Sequence, residues 1–422
     1  MRSSVPRISK HDPVYGPADP DALRRDLLDW FAVSGRDLPW RRRPSLYGTW
    51  VSEMMLQQTT VQTVIPYWHR FMERFPDAAA LAAADRDEVL ALWSGLGYYR
   101  RARALHDAAG IVTGELGGSL PRDREGWSAL PGVGAYASGA IASIGLGETV
   151  PALDANARRV LTRWAVGDPA QLGEFTPRRL ETLGADLVDP ARPGDWNEAV
   201  MELGALICRA GKPDCPRCPV RGHCRAHAAG QVHDIPPPKR REPTVPVQLG
   251  VLVLARKDQY LLAPPGSAAV EITGHGPDPV RRDFAGLHRG LWGVPMTTWF
   301  KLEDRGQPSW DPAVWSSWLA ELAFDGQEVR DRLRHLGRFT HAITKYRLRV
   351  EVYGALLPPD FQLPPGVRPG ARSAGGEHKF ISGSPEGRGP TQTPVFARYI
   401  EAGLPISKLT TKALQTAQTA FG

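Results

Sequence analysis

A mainly α N-terminal region followed by an α+β C-terminal domain is the fold class this sequence predicts, on three observations. Between Asp21 and Ile207 the apolar residues recur at helical spacing in one segment after another. All four cysteines then fall between 208 and 224, directly behind the last amphipathic segment. From about Val245 strand-like alternation replaces the helical period. A chain of 422 residues has room for two or three domains, each able to bury a core. The boundaries read as a polar, disordered leader at 1–20, a helical region at 21–230, a linker at 231–245, and a C-terminal domain at 246–422 with a Pro/Gly-rich stretch at 359–395. With 23% charged and 42% hydrophobic residues the composition is that of a soluble globular protein. A formal charge of +7 favours a polyanionic partner. No apolar run reaches the length of a membrane span, and the first residues lack a signal core, so a cytoplasmic protein, nucleoid-associated if it binds DNA, is expected.

Asp21 to Val33 places Leu23, Leu27, Leu28 and Phe31 on one helical face, and Gly35 ends it. Arg36 to Pro44 is a proline-bounded basic loop around Trp40, with Arg36 and Arg41 suited to a DNA-facing role or to a solvated turn. A helix is expected to begin at Trp50, capped by Ser52, with Glu53 in its first turn. Glu53, Gln57 and Thr60 would then share one polar stripe in a Met/Leu/Val-rich segment, an arrangement that suits a cleft. Further helices read over Tyr67–Phe75 and Arg86–Leu92. A Gly-rich turn at Gly95–Gly97 leads to Tyr98, Tyr99 and the basic helix face of Arg100, Arg101 and Arg103.

Leu130-Pro131-Gly132-Val133-Gly134 joins two helix-like runs, ending near Leu130 and starting at Ala135. Pro131 stops the first, while Gly132 and Gly134 allow angles and close approaches that a Cβ would block. Such a turn aims backbone N–H groups at an anion, such as a phosphate, at the start of the second helix. Beyond it, Asp154 follows the apolar run Val150–Leu153 and precedes a helical run to Trp164. It is either an N-cap or a carboxylate held for chemistry. Trp196 to Ile207 leads into Cys208-x6-Cys215-x2-Cys218-x5-Cys224, a shared metal centre rather than disulfides. A Cys-x2-Cys pair by itself reads as zinc or iron–sulfur.

Three prolines and a basic run at 236–241 form the linker. Gln248–Ala255 and Tyr260–Ala263 read as a hairpin, and Tyr346, Leu348, Val350 and Val352 alternate with charged residues along a half-exposed strand.

Trp50-Val51-Ser52-Glu53-Met54-Met55-Leu56-Gln57-Gln58-Thr59, Gly95-Leu96-Gly97-Tyr98-Tyr99, the Leu-Pro-Gly-Val-Gly turn and the cysteine spacing together resemble the MutY type of adenine DNA glycosylase, within the helix-hairpin-helix, iron–sulfur glycosylase superfamily. The resemblance implies a helix-hairpin-helix fold with a [4Fe–4S] loop held by Cys208, Cys215, Cys218 and Cys224, and a Nudix-like C-terminal domain. That domain lacks a glutamate-rich box after Gly293, so pyrophosphohydrolase activity is not expected. It implies Glu53 as catalytic acid, Asp154 as the stabilising carboxylate, and Tyr136 and Asn156 orienting groups around it. Arg36, Arg41, Gln57, Gln58, Tyr98, Gly132, Gly134 and Glu198 become DNA or substrate contacts, with a glutamine wedged into the duplex and Tyr98 intercalated. Phe339, Thr340 and His341 stand where the family carries its Phe-Ser-His loop for 8-oxoguanine. The implied partner is double-stranded DNA with A:8-oxoguanine or A:G mispairs, bound by a monomer. Departures are Ala155, where the family has glycine, Thr60, where many members have glutamine, and Thr340 for serine.

Expelling adenine needs an acid for the leaving base and a carboxylate for the cationic sugar, on a flipped-out nucleotide. Glu53 suits the first task if burial raises its pKa, and Asp154 the second. A bifunctional glycosylase/lyase would use a lysine in the hairpin region, and none lies between Leu130 and Asn156.

Overall fold

The computed structural model describes residues 17–238 except 18 and 43, and in the C-terminal half 243–256, 259–262, 269–270, 294, 296–297, 300–301, 329, 331–343, 346–358, 367–369, 378–382 and 407–421. The leader at 1–16, most of 359–395, and the motif residues 290–293 lie outside the described residues. By compactness the chain divides into two units, Met1–Ala83 with Ala104–Arg240, and Ala84–Arg103 with Arg241–Gly422. Among the described residues no helix is long and apolar enough to cross a membrane.

Helix α1 (Pro20–Ser34) starts where the Asp19 carboxylate accepts from the Asp21 and Ala22 amides, and it buries Leu23, Leu27 and Leu28. The basic loop that follows contains a short helix, α2 (Pro39–Arg42), with Trp40 buried. Helix α3 (Leu46–Leu56) begins four residues earlier than the sequence predicts, capped by Ser45 through the Gly48 amide. Ser52 is therefore no cap; its hydroxyl donates to the Thr49 carbonyl at 2.9 Å. Nor does the polar stripe continue: α3 stops at Leu56 and α4 (Val61–Arg74) starts from Thr60, so Glu53, Gln57 and Thr60 do not share one helix.

Next come α5 (Ala78–Ala82), α6 (Arg86–Trp93), α7 (Arg100–Gly114) and α8 (Arg124–Ser128). The hairpin turn leads into α9 (Ala135–Leu146), whose small residues Ala137 to Ser143 are all buried. Gly139 lets α9 ride against the 150–152 segment, since a Cβ there would meet the Pro151 carbonyl oxygen at 2.4 Å. Helices α10 (Ala155–Ala165), α11 (Pro177–Leu187), α12 (Pro193–Leu206) and α13 (Arg225–Ala228) complete this part. Leu23 and Leu27 of α1, Trp164 of α10, and Trp196 and Leu203 of α12 belong to one hydrophobic core of this part.

In the C-terminal unit a long strand, β1 (Val245–Arg256), carries a sheet. It pairs antiparallel with β2 (Gln259–Leu262) as the expected hairpin. The short β3 (Ala269–Val270), β4 (Met296–Thr297) and β5 (Phe300–Lys301) join on that side. On the other, β6 (Arg334–Ile343) and β7 (Tyr346–Leu357) form an antiparallel hairpin, and β7 runs parallel to β1 from Val245↔Tyr346 to Arg256↔Leu357. Strands β8 (Val367–Pro369) and β9 (His378–Ser382) extend the β2 edge. Helix α14 (Lys408–Phe421) closes the core, with Leu409, Ala413, Leu414 and Ala417 against Val247, Leu348 and Val350. The alternation predicted around Tyr346 holds as far as Val350, but Glu351, expected on the charged exposed face, is buried.

Candidate active site

Two carboxylates from distant helices meet at the heart of the helical unit. Glu53 sits in the last turn of α3, 5% exposed, not in the first turn where a helix dipole would favour its charge. Burial pushes its carboxyl up to about 7 against the hydrogen bond from Tyr136, and the charges of Glu198 and Asp154 raise it further while Arg41 opposes them. The Tyr136 hydroxyl donates to Glu53 Oε2 at 2.6 Å. Sequence reasoning grouped Tyr136 with Asp154; the structure joins its hydroxyl to Glu53 instead. Burial also keeps the Tyr136 phenol well above its usual range, so it remains a donor.

Asp154 is the N-cap that one of its two readings offered, and it is largely buried as well. It caps α10, accepting from the Ala157 amide at 2.6 Å, and its other oxygen accepts from Asn156 Nδ2 at 2.8 Å. Burial raises its pKa, while those hydrogen bonds and the nearby Arg159 pull the other way and favour the anion. Ala155, first in α10, is exposed and has a negative φ, so the backbone there does not require glycine. Three residues the sequence did not reveal hold this carboxylate. Arg159 donates to Asn156 Oδ1 at 2.9 Å, to the Gly204 carbonyl at 2.9 Å and, through Nε, to the Cys208 carbonyl at 2.8 Å. Gly204 lets α12 approach α10, because a Cβ on it would lie 2.6 Å from Asn156 Cβ and 3.1 Å from Asn156 Cα. Buried Asn197 accepts from the Ala152 amide at 2.9 Å and donates to the Val150 and Pro193 carbonyls, clamping the segment that leads to Asp154.

Arg36 and Arg41 are fixed by α12. Arg36 binds Glu202 through Nε at 2.7 Å and NH2 at 2.8 Å, while Arg41 binds Glu198 at 2.7 Å. Burial raises the Glu198 carboxyl against the pull of Arg41. For Glu202, which sequence reasoning missed, burial is outweighed by Arg36 and Arg41, so it stays below the usual range.

The hairpin keeps the expected character at one of its two glycines. Gly132 has φ +78, and a Cβ there would press on Ala104 and on the Met54 methyl. Gly134 has an ordinary φ of −87 and open space where a Cβ would stand, so no packing demands glycine there. It begins α9 without a side-chain cap, which leaves the first-turn amides to an external acceptor. Gln58 (φ +59) and Tyr98 (φ +50) are the only described non-glycine residues with positive φ, a strain characteristic of functional positions. Tyr98 is 52% exposed and follows Gly95 and Gly97, both also at positive φ, with the Arg101 guanidinium 5.5 Å from its ring. Gln57 is the C-cap of α3.

Cys208, Cys215, Cys218 and Cys224 line one small cavity of about 20 Å³. Burial raises the Cys218 thiol to about 12 and the Cys224 thiol to about 11, so thiolates need a metal to form there. Beside them Arg163 is 1% exposed. It donates to the Ile235, Cys208, Arg209 and Ala210 carbonyls and to Cys208 Sγ at 3.1 Å, with no carboxylate partner among the described residues. A buried cation with only neutral acceptors fits an anionic group held by the four sulfurs. Among the described residues no group of three His, Cys, Asp or Glu side chains is placed to hold a single metal ion.

In the C-terminal unit Phe339, Thr340 and His341 lie within strand β6 rather than in a loop. Phe339 is half-buried against the core, and Thr340 is exposed on the opposite face. Lys412 of α14 donates to the Thr340 carbonyl at 3.1 Å and lies 5.7 Å from the Phe339 ring centroid.

Residues 51–185 match the HhH-GPD superfamily of base excision DNA repair proteins. The adenine DNA glycosylase of Homo sapiens is 38% identical over 403 residues, covering 83% of this chain and 70% of its own. That of Rattus norvegicus is 39% identical over 397 residues, covering 84% and 74%. That of Mycolicibacterium smegmatis is 44% identical over 206 residues, covering 49% and 69%. With the helical fold built around this hairpin and carboxylate pair, these similarities establish that the chain belongs to the adenine DNA glycosylase family, enzymes of base excision repair that hydrolyse N-glycosyl bonds.

Proposed function

We propose that this chain is a monofunctional glycosylase that removes adenine mispaired with 8-oxoguanine or guanine from double-stranded DNA. The observation that carries the reading is the unequal carboxylate pair. Glu53, buried and raised to about 7, keeps a substantial protonated fraction at neutral pH, whereas Asp154, also raised by burial, has hydrogen-bond donors on both oxygens that favour its anion. Glu53 would protonate the adenine ring nitrogen N7 from its free oxygen while Tyr136 fixes the other. Asp154, oriented by Asn156, would stabilise the positive sugar until water adds. No hairpin lysine is present to form the covalent intermediate of a lyase. Gln58 and Tyr98, strained in left-handed conformations, fit the wedge and intercalating roles, and Arg36, Arg41 and Glu198 fit the base pocket.

The C-terminal sheet with α14 would be the Nudix-like domain, and Thr340 on its exposed face the reader of the damaged base. Single-turnover excision across A:8-oxoguanine, A:G and A:C duplexes tests the substrate. Preference for the first is expected, and Thr340→Ala should narrow it by on the order of 1–3 kcal/mol, the worth of one or two base-edge hydrogen bonds. Equal rates on all three duplexes would remove the specificity, and strand cleavage by the purified enzyme would favour a lyase.

We further propose a [4Fe–4S] cluster on Cys208, Cys215, Cys218 and Cys224, its negative charge facing Arg163. When bound it would tie the loop after α12 to α10. Metal analysis should return about four irons per chain and a brown protein. One zinc and no iron would overturn the assignment.

A further inference from the structure

We propose that the exposed face of the β6–β7 hairpin is a phosphate-binding surface that takes one strand of duplex DNA alongside Thr340. The inference rests on the reading above for its ligand and adds the contact that seats the strand. The register places Arg338 opposite Glu351, Thr340 opposite Arg349, and Ala342 opposite Arg347. Residues paired across a ladder share a face, so three guanidinium groups surround Thr340. Phe339 and Ile343, on the other face, pack against the core.

Arg338, Thr340 and Arg347 are exposed, and Arg349 is half-buried behind them. Among the described residues the one carboxylate on this face of the hairpin, Glu351, is already engaged: it accepts from Arg349 Nε at 2.9 Å and meets His335 Nε2 at 2.9 Å. Among the described residues Arg338 and Arg347 have no ion-pair partner. With Glu351 shared between Arg349 and His335, the three arginines leave this face net positive, and such a face attracts an external anion. From position 347 to position 351 of β7 the face runs roughly 13 Å, the axial rise of about four nucleotides of one DNA strand. A polyanion with regularly spaced charges matches that row better than an isolated acidic group does.

The test uses the full chain with Arg338→Gln and Arg347→Gln combined. Affinity for an A:8-oxoguanine duplex and for an undamaged duplex is measured by anisotropy between about 50 and 200 mM salt. If each arginine neutralises one phosphate, the slope of log affinity against log salt should become shallower by about 2 on both duplexes. The corresponding double lysine variant should restore the parental slope. An unchanged melting temperature shows that the exposed substitutions leave the fold intact. A parental slope in the glutamine variant, or a flattened slope in the lysine variant too, would overturn the surface. Thr340→Ala separates the two readings. If it leaves lesion preference intact while the glutamine variant flattens the slope, the readout role fails and the phosphate surface stands. The reverse pattern removes the surface and keeps the readout.

Discussion

Replacing Glu53 with glutamine should cost about 10²–10⁴-fold in adenine excision while making the folded protein more stable above neutral pH. The amide keeps an acceptor for the Tyr136 hydroxyl but has no proton to give the leaving base. Stability moves the other way because of where the carboxyl titrates. Its ordinary pKa of 4.5 rises to about 7 in the folded chain, so the folded state binds this proton more tightly than the unfolded state does. Below about pH 4.5 both states are protonated and the group is neutral in the balance. Between there and about 7 stability falls as pH rises, and above 7 the whole penalty is present, on the order of 3 kcal/mol. Glutamine never carries that charge. Glu53→Gln should therefore melt higher than the parent at pH 8 and alongside it at pH 4.5, with duplex binding retained. The same titration predicts that parental single-turnover excision declines above pH 7 as the acid loses its proton. Excision near the parental rate by the glutamine variant would take Glu53 out of the mechanism. A lower melting point at pH 8 would show that its burial is not what raises its pKa.

A single methyl at Gly204 should be nearly as damaging, from a position that no motif marks. The added Cβ of Gly204→Ala would stand 2.6 Å from Asn156 Cβ and 3.1 Å from Asn156 Cα. Backbone cannot rotate away as a flexible side chain can, so α10 must shift from α12. The first turn of α10 carries Asp154, Asn156 and the Ala157 amide, and all of them move with it. Overpacking of this kind costs about 1–3 kcal/mol of stability. A displacement of about 1 Å at the carboxylate can cost on the order of 10²-fold in rate. The expected pattern is a variant that still folds and binds duplex DNA, with kcat reduced far more than affinity. Parental kcat would mean that the close approach of the two helices does not set the position of Asp154.

How far the sequence foretold this site depended on distance along the chain. Glu53, Asp154, the hairpin and the cysteines stand in contiguous motifs, and the structure puts the two carboxylates together. Arg159, Asn197, Gly204 and Glu202 act on partners some 45 to 166 positions away, so only the packing of α12 against α1, α9 and α10 reveals them. The start of α3 was misjudged for a local reason. Gly48 and Tyr47 weaken the helical pattern after Pro44, yet Ser45 caps the helix through the Gly48 amide, hiding its first turn. The loop that the resemblance implies at Phe339–His341 is strand β6 instead, which few apolar residues and a bulge between His335 and Gly337 hide from a period-two reading.

The left-handed backbones of Gln58 and Tyr98 carry a consequence for how such a protein evolves. Each conformation costs a residue with a Cβ on the order of 1 kcal/mol that glycine would be spared. A mutant library screened only for survival of heating should therefore enrich glycine at both positions. A library screened for suppression of mutation should hold a long side chain there. Divergence of the two populations at positions 58 and 98, from one ancestor, would read out which strained residues persist because the duplex requires them.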